Sequence, residues 1–298
     1  MITYKNGTYY VEQLRDGTKI LRDETGQFKA DFPDNLDVKI TDYCDIGCSF
    51  CYEDSGTKGK HCKEDILLDK LSKLPSGIEV TLGGGNPISH PKIIEIIEEL
   101  SKMQKKLVSL TINQKSFDLA LIIKCHKAGL RALGISPIPG ELKSVMDLKD
   151  LEQHLPIVYH MILGIHPLSQ IEKYLLSGKK VLILGYKYVG RGRNNIPQIK
   201  DWVQGIKRFK HRLEFQDDYP ETSGMSFDNL AIRQLNLRTS FTTNDWEHFY
   251  LGDDGSCSMY IDAVEGTYSE SSTVSKVSRT SWEGLGILDY FKNDKANI

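Results

Sequence analysis

Between about residue 37 and residue 210 the chain alternates two kinds of hydrophobic pattern. The short strand-like segments LDVKI, IEVTL, LVSLTI, RALGISP, IVYHMIL and KVLILGY are the candidate strands. Between them apolar residues recur at helical spacing, as in Leu67, Leu71 and Leu74 or Ile93, Ile97 and Leu100. The clearest stripe is Ile199, Trp202, Val203, Ile206 and Phe209. It follows Asn194 and Asn195 and has Pro197 in its first turn, where a missing N–H costs nothing. Such stripes are packing faces. Strands alternating with helices are the mark of parallel strands joined by crossover helices, so the fold class is α/β.

The two ends of the chain leave this pattern. Residues 1–36 carry short alternating segments broken at Asn6-Gly7, Asp16-Gly17 and Thr25-Gly26, which predicts a small β-meander. After residue 210 come a helical stretch in MSFDNLAIRQLNL, a hairpin in FYLGDDGSCSMYIDAV turning at Asp254-Gly255, and the serine-rich run SESSTVSKVSRTS, a mobile loop or a lid. The division expected is a meander over 1–36, a core over 37–210, and an extension over 211–298 that closes the open side of the core.

Composition narrows the function classes without naming a substrate. With 298 residues and 40% hydrophobic content, the chain can bury a substantial core. A formal net charge of -2 lacks the basic excess of a dedicated nucleic-acid binder, so nucleic acid is not expected as a partner. No apolar run approaches the ~20 residues of a membrane helix. The opening MITYKNGTYY has neither a basic nor an apolar leader region, and a cytoplasmic protein with reduced thiols is expected.

The candidate chemistry begins at TDYCDIGCSFCYE, where Cys44, Cys48 and Cys51 are separated by three and two residues. Three thiolates so close in sequence can hold a cubane iron-sulfur cluster and leave one iron open. An open coordination position is what separates a reactive metal site from a structural one. The alternative is a zinc site closed by His61 or Cys62, making a non-catalytic interaction module. About thirty residues on, IEVTLGGGNP runs from a strand into glycines whose backbone can approach a ligand closely.

CxxxCxxC with an aromatic residue, Phe50, before the last cysteine resembles the signature of the radical S-adenosylmethionine (radical SAM) superfamily. The resemblance implies a partial (β/α)6 barrel of the TIM type, with the cysteine loop after its first strand. It also implies a [4Fe-4S] cluster, S-adenosylmethionine chelated by the open iron, and reductive cleavage to a 5'-deoxyadenosyl radical that abstracts a hydrogen atom from the substrate. Phe50 would lie against the adenine. Gly84, Gly85, Asn86 and Pro87 match the family's GGEP motif, which contacts the amino group of S-adenosylmethionine, except that asparagine stands where glutamate is usual. Asn86 keeps a carbonyl acceptor and loses the charge.

Ligands of such barrels gather at the C-terminal strand ends. Those ends offer Asn113 for ribose or carboxylate contacts, and Ser136, whose family counterpart often binds the ribose diol. Turn chemistry explains both equally well. Gly164 and Ile165 are candidates for an apolar wall against adenine, and His166 beside them reads as structural. Lys187 and Arg191, with Arg193, are candidates to clamp a carboxylate or phosphate. Cys125 reads as a small buried hydrophobe, whereas Cys62 and Cys257 are candidate hydrogen-atom donors. The partners expected are a small-molecule or peptide substrate and an electron donor such as flavodoxin or ferredoxin.

Overall fold

The computed structural model describes residues 2–14, 18–23, 28–103, 106–141, 148–195, 197, 199, 201–206, 208 and 219–295. Asn6 and Gly7 turn strand β1 (Ile2–Asn6) into β2 (Tyr9–Gln13), and β3 (Lys19–Asp23) completes a three-stranded antiparallel sheet. Gly7 has φ +57°, and a Cβ there would fall 1.8 Å from the Lys29 carbonyl oxygen, so only glycine fits this turn. The turns expected at Asp16-Gly17 and Thr25-Gly26 lie outside the described residues.

The alternating region builds the main sheet. Its strands are β4 (Asn35–Thr41), β5 (Glu79–Gly84), β6 (Leu107–Asn113), β7 (Leu130–Ser136), β8 (Ile157–Ile162) and β9 (Lys180–Leu184), each on one of the candidate strand segments. All pair in parallel with their sequence neighbours. Between them lie α1 (Glu64–Ser72), α2 (Ile93–Lys102), α3 (Leu119–Ala128), the short α4 (Lys149–Glu152) and α5 (Leu168–Leu176). Ile93, Ile96, Ile97 and Leu100 of α2 are buried together with Leu36, Val38 and Ile40 of β4 in one apolar core. Alternation along β4 leaves Asp37 and Lys39 on its other face. In the last expected stripe Trp202 and Ile206 are buried on helical residues 201–206, and Phe209 lies outside the described residues.

The C-terminal part departs from expectation. After β10 (Gly224–Phe227), α6 (Asn229–Leu235) and α7 (Thr243–Phe249), strand β11 (Ser258–Asp262) runs parallel to β4. Its antiparallel partner is β12 (Thr267–Ser269) downstream, so the hairpin turns at residues 263–266 and not at Asp254-Gly255. The β4 edge offers five register pairs and burial of Met259 and Ile261, which outweighs the local turn signal. The segment before that turn is helical because Thr242 caps it, accepting from the Asp245 N–H at 3.1 Å. With β13 (Thr280–Ser281) the sheet order is β10-β9-β8-β7-β6-β5-β4-β11-β12-β13. The tail thus lengthens the β4 edge, where it was expected to close the barrel, and the sheet stays open. Helix α8 (Ile287–Lys295) follows, with Ile287 and Phe291 buried in the core.

Candidate functional site

Cys44, Cys48 and Cys51 lie on the loop leaving the C-terminal end of β4. All six cysteines of the chain are free thiols; Cys44 is buried and Cys48 and Cys51 are half-buried. Burial, and then the charges of Cys51 and Cys44, push the Cys48 thiol above its ordinary pKa, so both other sulfurs stand within electrostatic reach of Cys48. Among the described residues no three His, Cys, Asp or Glu side chains converge as they would on a single ion. A cubane cluster binds each thiolate through a different iron, so its ligands stand further apart than those of one ion. The zinc alternative fares worse on the same geometry. His61 Nδ1 is engaged by Thr41 Oγ1 at 2.8 Å, and neither His61 nor Cys62 joins the cysteines in a group close enough for one ion.

The glycine loop after β5 packs directly against the cysteine loop. A Cβ on Gly84 would lie 2.4 Å from the Thr41 oxygen, and one on Gly85 would lie 2.3 Å from the Tyr43 oxygen. The close approach these glycines permit is therefore between two backbones, sealed by Gly85 N–H donating to Thr41 at 2.7 Å and Asn86 N–H to Tyr43 at 2.7 Å. Pro87 is buried and opens a single 3-10 turn. Asn86 is only 5% exposed; its Nδ2 donates to Asp45 Oδ1 at 3.0 Å, and its Oδ1 is buried without a partner. Asp45, on the cysteine loop, escaped the sequence reading because nothing local marks it as a neighbour of Asn86.

The strand ends bring the other candidates to the same opening, with mixed outcomes. Asn113 and Ser136 sit opposite each other in the β6–β7 register, and Asn113 Nδ2 points to Cys48 Sγ at 4.0 Å. Its Oδ1 accepts from the Lys115 N–H at 2.9 Å, so turn chemistry is present as well. Phe50 is half-buried, as are Gly164 and Ile165. Gly164 has φ +73° and faces Pro197, where a Cβ would lie 2.3 Å from the proline Cβ. His166 is structural: its Nδ1 accepts from Ile162 N–H at 2.8 Å and its Nε2 donates to the Pro137 oxygen at 2.9 Å.

The basic loop after β9 braces the cysteine loop. Arg191 donates from Nε to the Cys48 oxygen at 3.0 Å and from Nη2 to the Ser55 oxygen at 2.9 Å, pairs with Asp54 at 2.8 Å, and its own N–H meets the Cys51 oxygen at 3.0 Å. With its guanidinium so engaged, it is not the open anion clamp expected from sequence. Gly190 lets this loop come close, since a Cβ there would lie 2.4 Å from the Tyr52 oxygen. Lys187 donates to Ser272 Oγ at 2.7 Å and lies 3.7 Å over the Tyr52 ring, which ties the serine-rich run to the opening.

Neither proposed hydrogen-atom donor is exposed at the opening. Cys62 is 6% exposed in the apolar core beside His90, and burial pushes its thiol up to about 12. Cys257 precedes β11 at the end that pairs with Asn35, the start of β4, and so lies at the opposite end of the strands from the cysteine loop. Helix periodicity does not reveal which strand end a loop residue occupies. Cys125 is fully buried on α3.

Two further features concern the barrel interior. Deep between the strands, His160 of β8 lies against Gly134, where a Cβ would be 2.6 Å from its Cε1, and burial lowers its pKa to about 4. Asp37 is pushed up by burial against the opposing pull of Lys187. A cavity of about 1600 Å³ opens at the N-terminal strand ends, lined among others by Glu79, Lys106, Arg131 and Lys180. It is at the far end from the cysteines.

A family model described as the Radical SAM superfamily matches residues 38–137, spanning the cysteine loop, the glycine loop and strands β5 to β7. The matched segment, residues 38–137, is a radical SAM domain. Curated relatives include human molybdenum cofactor biosynthesis protein 1, 23% identical over 176 residues, covering 53% of this chain and 28% of that protein. The GTP 3',8-cyclase of Trichodesmium erythraeum is 30% identical over 113 residues, covering 35% of this chain and 34% of the cyclase. The chain thus spans about a third of the length of these curated relatives. Among solved structures, Streptococcus suis SuiB bound to S-adenosylmethionine superposes with TM-score 0.63 at 13% identity, over 88% of this chain and 66% of SuiB. SuiB bound to its precursor peptide SuiA gives TM-score 0.64 at 14% identity, over 88% and 65%. Radical SAM enzymes use a [4Fe-4S] cluster and S-adenosylmethionine, and the residues here fit both. Three free thiols share one braced loop, and the unpaired Asn86 Oδ1 awaits a donor beside it.

Proposed function

We propose that the chain is a radical SAM enzyme that cleaves S-adenosylmethionine reductively and abstracts a hydrogen atom from a small metabolite, nucleotide or peptide. The observation that carries this reading is the pairing of the three-thiol loop with a buried, unsatisfied acceptor on the neighbouring glycine loop. When bound, the cluster supplies the electron that splits the sulfonium into methionine and a 5'-deoxyadenosyl radical. The chain's own residues hold and orient. Cys44, Cys48 and Cys51 ligate the cluster, and Arg191 fixes their loop through the Cys48 and Ser55 carbonyls. Asn86 Oδ1 accepts from the ammonium group of S-adenosylmethionine, with the Asp45 carboxylate polarising the amide. Gly84, Gly85 and Pro87 shape that loop, while Phe50, Asn113, Ser136, Gly164 and Ile165 line the adenosine side. Lys187 orders Tyr52 and Ser272 at the mouth.

The substrate enters the barrel interior, where His160 stays uncharged at neutral pH and offers hydrogen bonds without charge. Relatives named as GTP 3',8-cyclases support a nucleotide, and SuiB bound to its precursor peptide supports a peptide. Flavodoxin or ferredoxin would deliver the electron, and six free thiols suit a reducing cytoplasm. The test is anaerobic purification followed by strong reduction with S-adenosylmethionine present. A brown protein with several irons per chain that releases 5'-deoxyadenosine is the expected result; cluster-loaded protein that releases none would end this reading.

A further inference from the structure

We infer that Lys39 is a positioning residue for the cysteine loop, pinning both of its ends to the C-terminal strand β11, so that the cluster site extends beyond the family-matched segment. The inference rests on the reading of Cys44, Cys48 and Cys51 as cluster ligands. Lys39 projects from β4 and its side chain is 1% exposed. Its Nζ meets Asp42 Oδ1 at 2.6 Å, Glu53 Oε2 at 3.0 Å and Asp262 Oδ2 at 2.9 Å. An ammonium has three donors, and here each finds a carboxylate. Asp42 lies just before Cys44 and Glu53 just after Cys51, so one side chain draws together the two arms of the loop that carries all three thiols.

The third carboxylate comes from far along the chain. Asp262 ends β11, and it also receives Arg279 Nη1 at 2.9 Å. Arg279 in turn donates to the Ser272 and Val274 oxygens of the serine-rich run. Glu53 is held on its other oxygen by the Tyr260 hydroxyl at 2.9 Å. Burial by itself would pull the Lys39 ammonium down, but Glu53 and Asp262 overrule it and hold it above the ordinary lysine range. Buried ion pairs of this kind add little net stability over apolar packing, because desolvation consumes most of the attraction. What they impose is direction: three carboxylates must meet one point within hydrogen-bond distance. Placed at the base of a ligand loop, that constraint fixes where the thiols stand.

The double variant Lys39→Met with Glu53→Gln tests this, since it removes the pin and neutralises the buried Glu53, while Asp262 keeps Arg279 and Asp42, 19% exposed, is left partly open to solvent. Wild-type and variant proteins are reconstituted anaerobically with iron and sulfide. Folding is followed by circular dichroism, and the cluster by chelator-driven iron loss, reduction potential and paramagnetic resonance of the reduced state. The expected result is a folded variant that loses iron about tenfold faster, as when outer-shell partners of metal ligands are removed, with a shifted potential and altered resonance. A folded variant with the wild-type loss rate, potential and resonance overturns the inference. Should the double variant fail to fold, Asp262→Asn takes its place with the same readouts, because Asp262 lies outside the loop and meets the loop's carboxylates through Lys39. Wild-type protein that takes up no iron would instead remove the underlying reading of the cysteines.

Discussion

Asn86 donates its side-chain amide to Asp45 at 3.0 Å, and this bond fixes the amide so that Oδ1 is left buried and unpaired. An unsatisfied buried acceptor costs about 1–3 kcal/mol, which a donating ligand recovers. Asp45→Asn keeps an acceptor for Nδ2 and removes the charge. It should weaken S-adenosylmethionine binding by about tenfold, the worth of a charge-assisted hydrogen bond, and Asn86→Leu should weaken it further. Equilibrium titration of the reconstituted protein measures both, and unchanged affinity in the pair would remove them from the amino-group site.

Arg191 spans the cysteine loop through two backbone carbonyls and Asp54. Arg191→Ala should lower stability by about 1–3 kcal/mol and speed iron loss, through the carbonyls left unpaired. Arg191→Lys should not restore the wild-type rate, because a point charge cannot reproduce the fork. Thermal denaturation and chelator kinetics decide; a fully active, fully stable Arg191→Lys protein would show the fork to be unimportant.

Cys62 is buried in the apolar core and Cys257 lies at the opposite strand end from the cysteine loop. Alanine at either position should leave iron content and deoxyadenosine release within about twofold of wild type. Cys62→Ala alone should cost about 1 kcal/mol of stability, from lost packing. Loss of product with iron content retained, in either variant, would restore that cysteine as a candidate donor.

Lys106 is 2% exposed, its Nζ donates to the Leu74 oxygen at 3.2 Å, and burial lowers its pKa from 10.5 to about 8. Below about pH 8 folded and unfolded chains both carry the charge, and the folded state bears the desolvation cost. Between about pH 8 and 10.5 the folded chain releases its proton first, so that cost fades as pH rises. Lys106→Met should therefore stabilise the protein at pH 7 by about 1–3 kcal/mol, an advantage that shrinks toward pH 10. Urea unfolding of both proteins at two pH values checks the sign; a pH-independent difference would contradict it.

The parts of the fold legible in the sequence were those whose cause is local. The strands at residues 36–40 and 78–82 announce themselves because LDVKI and IEVTL alternate apolar and polar residues, the period of a strand. The cysteine loop is legible because its ligands share eight positions of chain. The hairpin at Asp254-Gly255 misled for the converse reason, since β11 was claimed by β4, more than two hundred residues away. Arg191 looked like a free cation until its carbonyl partners appeared.

From the amino-acid order alone came the α/β alternation, the thiol triad and the glycine motif, because backbone propensity and short-range spacing act within a few residues. Tertiary structure alone decided that Lys39 reaches Asp262 across 223 positions, that Asp45 completes Asn86, and that Cys257 falls at the wrong end of the strands. Hydrogen bonds and ion pairs depend on distance in space, and only the folded sheet brings these residues within about 3 Å.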